Sequence, residues 1–306
     1  VRARAGHKGT FGHALIAAGS EGKTGAAALA ASGAARAGAG LVTLACPAGL
    51  NDILEIKCTE AMTVPVPDTQ QRAFAASATE AVVALAATCG AVGVGPGLGR
   101  SVETQSFVTE LAKRLDLPLV IDADGLLPFA PEPGLLKART APTLLTPHPG
   151  EAARLLGVDA ADINRDRPGM ACRLAERTGA IVALKGAATA IAAPDGRLAI
   201  NPTGGPALAA GGSGDVLLGM AAALLVQGLA PFEAMVAAAF VHGAAADRLA
   251  QHTGSSGMLA SDLALEVPAT MNELRRCADD AINTSSTAKT GPVPLAGGLA
   301  VSFPEP

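Results

Sequence analysis

The run Gly211-Gly212-Ser213-Gly214-Asp215 stands directly before the apolar segment VLLGMAAALLV. Glycines ahead of a helix let backbone N–H groups converge on an anion, and the helix dipole adds partial positive charge at the same point. An aspartate in a first turn also stabilises a helix without any further role. Three glycines in four residues weaken a helix start, however, unless something must approach the backbone closely. An anion cradle beside a carboxylate is the pairing needed for base-assisted attack of a hydroxyl on a phosphate.

A rival phosphate site lies near the other end of the chain. Residues 17–24, AAGSEGKT, match a loose A/G-x(4)-G-K-T phosphate loop between a strand candidate and a helix candidate. LVID at 119–122 would then offer the aspartate of a magnesium site, and the chain would be a P-loop nucleotide hydrolase. That pattern starts on Ala17 rather than glycine, and it leaves residues 211–215 without a purpose.

Among the histidines, His148 sits between Pro147 and Pro149, a stiff extended setting with little freedom to fold away. His242 and His252 fall in Ala-rich helical stretches and read as structural. With no H-E-x-x-H among five His, no zinc hydrolase ligand set is visible, and no metal-ligating residues are expected. The five cysteines (Cys46, Cys58, Cys89, Cys172, Cys277) are odd in number and form no C-x-x-C pair. They read as small buried apolar residues in a reducing compartment, not as a disulfide framework.

The elements that must position these groups follow from composition and periodicity. Hydrophobic residues are 49% of the 306 and charged residues 16%, so a large core is available. Aromatic residues are only 2%, with no Trp or Tyr, and the net charge is -4, which argues against a single-stranded nucleic-acid binder or a phosphate-backbone clamp. Ala and Gly fill the gap, so elements should pack with their backbones close together. Strand candidates are 13–18, 41–46, 91–95, 119–122, 143–145, 181–184, 189–193 and 198–200; helical patterns lie at 24–38, 76–88, 102–115, 150–156 and 166–178. Such alternation predicts βαβ units and a mostly parallel sheet covered on both faces. Pro194-Asp195-Gly196-Arg197 predicts a hairpin and one antiparallel pair. Helical patterns then dominate at 215–227, 231–251 and 259–276. Residues 6–276 are expected to form one domain and 277–306 a poorly structured C-terminal tail rich in Ser, Thr, Pro and Gly. The uncharged stretch at 81–99 is broken by Gly95-Pro96-Gly97 before it could span a bilayer, and VRARAGHKG has no apolar stretch behind its arginines. A cytoplasmic location is therefore expected.

Seven blocks in order now carry a resemblance: HKG with FG at 7–12; Thr24-Gly25-Ala26-Ala27; Gly95-Pro96-Gly97-Leu98-Gly99; Asp122-Ala123-Asp124-Gly125-Leu126; Thr146-Pro147-His148-Pro149-Gly150-Glu151; Lys185-Gly186-Ala187-Ala188-Thr189; and 201–215, NPTGGPALAAGGSGD. Over about residues 7–270 the chain resembles the NAD(P)H-hydrate dehydratase family, a carbohydrate-kinase-related group that repairs hydrated nicotinamide cofactors. It departs at Gly205, where the family usually carries Asn, so a polar contact or turn preference is lost there.

The resemblance implies a ribokinase-like three-layer α/β/α fold with a mostly parallel central sheet. It implies that Ala26, Gly97, His148 and Asp215 contact the hydrated cofactor, and that Lys185, Gly186, Ala187, Ala188 and Thr189 line the nucleotide site. Gly211, Gly212, Ser213 and Gly214 would hold the phosphates. Asp215 would take the proton of the C6 hydroxyl, whose oxygen attacks the terminal phosphoryl of ADP (giving AMP) or of ATP, with Mg²⁺ neutralising the nucleotide phosphates. Phosphate then leaves by elimination, turning NADHX or NADPHX into NADH or NADPH. A homo-oligomer, often a tetramer, and a fused or separate epimerase domain are further implications. The alternatives are a vitamin-type small-molecule kinase of the same fold and a non-catalytic nucleotide sensor.

Overall fold

A computed structural model of the chain describes residues 5–287. It opens with β1 (His13–Ala17), α1 (Thr24–Arg36), β2 (Leu41–Pro47), α2 (Asn51–Lys57) and β3 (Met62–Val66). The chain continues through α3 (Ala78–Ala86), β4 (Ala91–Val94), α4 (Val102–Arg114), β5 (Leu119–Ile121) and β6 (Thr143–Leu145). Next come α5 (Pro149–Leu156), α6 (Ala160–Arg165), α7 (Arg167–Thr178), β7 (Ile181–Leu184), β8 (Ala190–Ala192) and β9 (Leu198–Ile200). Three helices close the described part: α8 (Ser213–Val226), α9 (Pro231–Thr253) and α10 (Ala260–Thr287).

One sheet holds the strands in the order β3-β2-β1-β4-β5-β6-β7-β8-β9. Pairing is parallel from β3 through β7 and antiparallel at β7–β8 and β8–β9, so there are two antiparallel pairs where the turn at 194–197 predicted one. Strand order reverses between β1 and β4, which register Ala14 against Ala91. Carboxyl ends of parallel strands beside such a reversal are where open α/β sheets bind ligands.

Alternate residues of β1 face opposite cores, as strand geometry requires. Ala14 and Ile16 join the layer built by α1, α8, α9 and α10. Leu15 and Ala17 join the layer built by α3, α4, α5 and α7. The expected backbone proximity occurs where α1 crosses α8: a Cβ on Gly219 would lie 2.0 Å from the Ala30 carbonyl oxygen, and one on Gly33 would lie 2.4 Å from that of Val216. Larger residues at either position would force the helices apart, and α8 carries the residues of greatest interest.

Three elements escape the sequence pattern. β3 contains Pro65 and lies at the sheet edge, where a missing N–H is tolerated but the β signal is weak. α2 and α6 span 7 and 6 residues, too few to show a helical period. The expected tail also begins too early, because α10 stays helical to Thr287. No Gly or Pro interrupts the chain between Pro268 and Gly291, so nothing in the sequence stops the helix at 276. The remainder of the expected tail lies outside the described residues.

Candidate active site

Two cavities open along the carboxyl edge of the sheet. A cleft of about 450 Å³ lies where α1 begins, walled by Lys23, Ala26, Gly97, Asp124, His148 and Arg154 among others. A pocket of about 530 Å³ lies toward β7 and β9, walled by Lys185, Thr189, Thr203, Pro206, Gly214 and His242 among others. Of the expected site residues, Ala26, Gly97 and His148 wall the cleft and Lys185, Gly186, Ala187, Thr189, Ser213 and Gly214 wall the pocket, whereas Ala188, Gly211, Gly212 and Asp215 line neither.

In the cleft, the loop after β4 folds over the start of α1. Gly97 has φ +63, and a Cβ there would lie 2.9 Å from the Cβ of Lys23 and 3.1 Å from that of Ala26, so only glycine fits. The Ser20 hydroxyl fixes this approach by donating to the Gly97 carbonyl at 2.7 Å. His148 caps α5 with extended backbone (φ -80, ψ 168), as the flanking prolines predict. Its Nδ1 accepts from the Gly150 N–H at 3.0 Å, and the Glu151 carboxylate accepts from the His148 N–H at 2.8 Å. Nδ1 is therefore the unprotonated nitrogen. The protonated Nε2 faces Glu151 Oε1 at 3.2 Å.

Lys23, the lysine of the rival phosphate loop, is engaged elsewhere. Its ammonium lies 2.8 Å from Asp124, which also accepts from the Gly99 N–H at 3.0 Å and from Arg100 at 3.3 Å. Burial works against the ionised Asp124, but these donors outweigh it and hold its pKa below the ordinary carboxylate value. Ala123, between Asp122 and Asp124, adopts the left-handed region at φ 52. A non-glycine residue there is strained, and this reversal turns successive carboxylates in different directions.

Gly186, Ala187 and Thr189 line the second pocket with Lys185, whereas Ala188 does not and instead turns the loop at φ 55. Ser213 and Gly214 line it; Gly211 and Gly212 do not, and Gly212 forms the left-handed N-cap of α8 at φ 94. No side chain caps α8. Helix geometry leaves the Gly214 and Asp215 amides without intrahelical acceptors, so they remain available to an anion. The side-chain hydroxyls around the pocket are occupied within the protein: Thr189 donates to Gly186, Thr203 to Phe240 and Ser213 to Leu208. His242 also lines the pocket, and its Nε2 lies 2.8 Å from the Ser213 carbonyl. Burial drops the His242 pKa to about 4, so the ring is neutral at neutral pH and Nε2–H donates to the start of α8. Its structural role is thus specific: it fixes the helix start.

Between the cavities lies a charge cluster that the sequence did not resolve. Asp122 is 1% exposed, and its Oδ1 lies 2.8 Å from Lys185 Nζ across 63 residues of sequence. Both groups abut the start of α8: a Cβ on Gly214 would lie 3.2 Å from Lys185 Nζ and 3.3 Å from Asp122 Oδ2. Burial alone would lower the Lys185 pKa, yet Asp122, Glu151 and Asp215 together hold it above its ordinary value. Burial raises the Glu151 pKa, with Asp122 adding to the rise and Lys185 opposing it. Asp215 is pushed up to about 7, first by burial and then by Asp122 and Asp124, with Lys185 pulling the other way. The Asp215 carboxyl thus feels Asp124 from the cleft wall and Lys185 from the pocket wall. The sequence offered Asp122 as a strand-end residue, as the magnesium aspartate of the rival phosphate loop and as part of a family-like block, but not as the partner of Lys185; the signal for that pair was the D-x-D spacing together with a lysine ending a later strand.

Residues 14–269 match the family model for NAD(P)H-hydrate dehydratase. The chain is 45% identical over 273 residues to the bifunctional NAD(P)H-hydrate repair enzyme of Moorella thermoacetica, covering 89% of this chain and 52% of that protein. A crystal structure of the ADP/ATP-dependent NAD(P)H-hydrate dehydratase of Bacillus subtilis, co-crystallised with ATP/Mg²⁺, is similar at TM-score 0.75 and 30% identity, covering 89% and 93%. A ribokinase-like superfamily protein of Enterococcus faecalis shares the fold at TM-score 0.75 and 24% identity, covering 89% and 91%. The chain spans about half the length of the curated relatives it matches. Since the family match runs from β1 into α10 and takes in the walls of both cavities, the chain belongs to the NAD(P)H-hydrate dehydratase family.

Proposed function

We propose that this chain dehydrates NADHX and NADPHX to NADH and NADPH, using ADP or ATP as phosphoryl donor. The observation that carries the reading is Asp215, a carboxylate in the first turn of α8 with its pKa raised to about 7, beside free amides and under the influence of Asp124 from the cleft wall and Lys185 from the pocket wall. The cleft at Ala26, Gly97 and His148 takes the hydrated dihydronicotinamide end. The pocket at 185–189 and 213–214 takes the nucleotide.

Ionised Asp215 accepts the proton of the C6 hydroxyl, and the oxygen attacks the terminal phosphorus. A new O–P bond forms as the bridging P–O bond breaks, releasing AMP from ADP or ADP from ATP. The Gly214 and Asp215 amides stabilise charge on the transferring phosphoryl, and the Lys185 ammonium adds a positive charge held in place by Asp122. Phosphate is a far better leaving group than hydroxide. The C6–O bond then breaks, a proton leaves the neighbouring ring carbon, and the double bond is restored.

Among the described residues, no three His, Cys, Asp or Glu converge as a metal cage. Asp124 and one oxygen of Asp122 are already engaged by cations. This donor set would suit a Mg²⁺ ion carried in on the nucleotide phosphates rather than a protein cage, and the second oxygen of Asp122, beside the start of α8, would be the carboxylate to hold it. When bound it neutralises nucleotide charge.

Conversion of hydrate to NADH restores the near-ultraviolet absorbance of the dihydronicotinamide. Recovery with ADP or ATP and Mg²⁺, and none without nucleotide, is the expected result. A vitamin-type kinase would accumulate a stable phosphate ester and restore no absorbance, and a sensor would turn over nothing. Absence of recovery with both nucleotides in folded protein rejects the dehydratase reading.

A further inference from the structure

We infer that Arg154 is a substrate-phosphate contact at the rim of the cleft, binding the phosphate groups of the dinucleotide beyond its nicotinamide end. This rests on the assignment of the cleft to NAD(P)HX. Three cations line the cleft, Lys23, Arg100 and Arg154, against two carboxylates, Asp124 and Glu151. The cleft wall is therefore cationic in a chain of net charge -4.

The three cations are not equivalent. Lys23 and Arg100 share Asp124, at 2.8 and 3.3 Å. Glu151 is taken by the His148 backbone and ring. Arg154 is exposed, and its guanidinium makes no ion pair or hydrogen bond among the described residues. It also borders a small hollow formed with Leu126, Leu127, Ala130, Leu155 and the His148-bound Glu151, whose leucines and alanine give its aliphatic stem apolar neighbours. An arginine with a supported stem and an unengaged guanidinium is suited to bidentate contact with a phosphate. A dinucleotide is also too large for a cavity of about 450 Å³, so its diphosphate and ribose must run out along the rim.

Arg154 stands in the last turn of α5, where a cation favours the helix dipole without any ligand. The test therefore compares R154Q, which removes the charge, with R154K, which keeps it but loses the planar fork. With ADP saturating, R154Q is expected to raise KM about tenfold for at least one hydrate, with kcat changed less. R154K should recover part of that loss, and the KM for ADP should stay within about twofold. A rise confined to NADPHX assigns the contact to the 2′-phosphate, and an equal rise for NADHX assigns it to the diphosphate. KM values for both hydrates within about twofold of wild type, in R154Q that melts like wild type, overturn the proposal. Calorimetric titration with NADH and NADPH keeps the two readings separate. If the wild type turns over neither hydrate the dehydratase reading falls, while about tenfold weaker NADPH or NADH binding by R154Q still supports the contact. Unchanged binding overturns it.

Discussion

The two cavities on either side of Asp215 are built from different chemistry. The cleft is walled by charged side chains that, apart from Arg154, are tied into pairs, with Asp124 held by Lys23 and Arg100 and Glu151 held by His148. The pocket is walled by glycines, small apolar residues and hydroxyls that already donate within the protein, with Lys185 as its one charged side chain and that paired with Asp122. Charged walls recognise a ligand through long-range attraction that salt screens. Satisfied walls recognise by shape and by the few amides left unpaired at a helix start. The Asp122–Lys185–Asp215 cluster joins the two modes, and the largest predicted effects belong to it.

Asp215→Asn keeps the shape of both cavities and removes the proposed base. Turnover should fall about two to four orders of magnitude with nucleotide affinity largely kept. Near-normal turnover in the folded variant would break the assignment. The same substitution has a signed effect on stability. A carboxyl whose folded pKa stands at about 7, above its unfolded value, binds its proton more tightly in the native state. Its stabilisation is complete below the unfolded pKa and is lost as pH rises through about 7. Wild type should therefore lose stability relative to D215N between about pH 4 and 7, as read by denaturant midpoints across that range.

Asp122→Asn tests the junction itself. It leaves Lys185 with only the more distant Glu151 and Asp215 as counter-charges, and it removes one of the groups that raise Asp215. The Asp215 pKa should fall, because repulsion is lost and Lys185 is freed to act on it. A weaker base predicts roughly tenfold to hundredfold slower turnover at neutral pH, with the acidic limb of the rate profile moved to lower pH. An unmoved limb would mean that Asp122 is only a packing partner of Lys185.

Much of this arrangement was legible in the sequence because its signals are local. Residues 211–215 announce a helix start from glycine content alone, and two prolines announce the extended His148. The parallel strands are continuous apolar runs, as strands buried on both faces must be. What was hidden depends on topology. Asp122 meets Lys185 across 63 residues and Lys23 meets Asp124 across 101, contacts made only when β1, β4, β5 and β7 end at one edge. The left-handed Ala123 was hidden for another reason, since alanine gives no sign of positive φ in sequence. Gly211 and Gly212 show the converse error, because glycine content alone did not separate those that turn the chain from the one that faces the pocket.

Lys23 and Gly214 sharpen the contrast between the cavities. Gly214→Ala puts a methyl 3.2 Å from Lys185 Nζ and 3.3 Å from Asp122 Oδ2, at the unpaired amides. The nucleotide KM should rise about tenfold, since a displaced lysine or a blocked amide each removes about one charge-assisted hydrogen bond. Lys23→Ala should leave the nucleotide KM within about twofold, because Lys23 belongs to the Asp124 pair in the cleft. The reverse pattern, with nucleotide affinity lost only in K23A, would restore the phosphate-loop reading of residues 17–24.

The smallest effect is expected at Gly205, where the chain departs from the family's usual Asn. Gly205 lines the pocket proposed for the nucleotide and has extended backbone, φ -119 and ψ -165, a conformation open to any residue. The nearest atom to a Cβ there is Asp247 Oδ1 at 3.7 Å, which is ordinary contact. Asp247 already fixes the loop by accepting from the Gly204 N–H at 2.8 Å. An Asn amide at 205 could add a donor to the same carboxylate without displacing that bond. Gly205→Asn should therefore fold normally, with its melting temperature unchanged or slightly raised because an exposed glycine is removed from the unfolded chain. Its side chain narrows the pocket mouth away from the phosphate end, so the nucleotide KM should change by no more than about threefold and the KM for hydrate not at all. A large loss of hydrate turnover in G205N would connect this loop to the cleft and remove the division of labour between the two cavities.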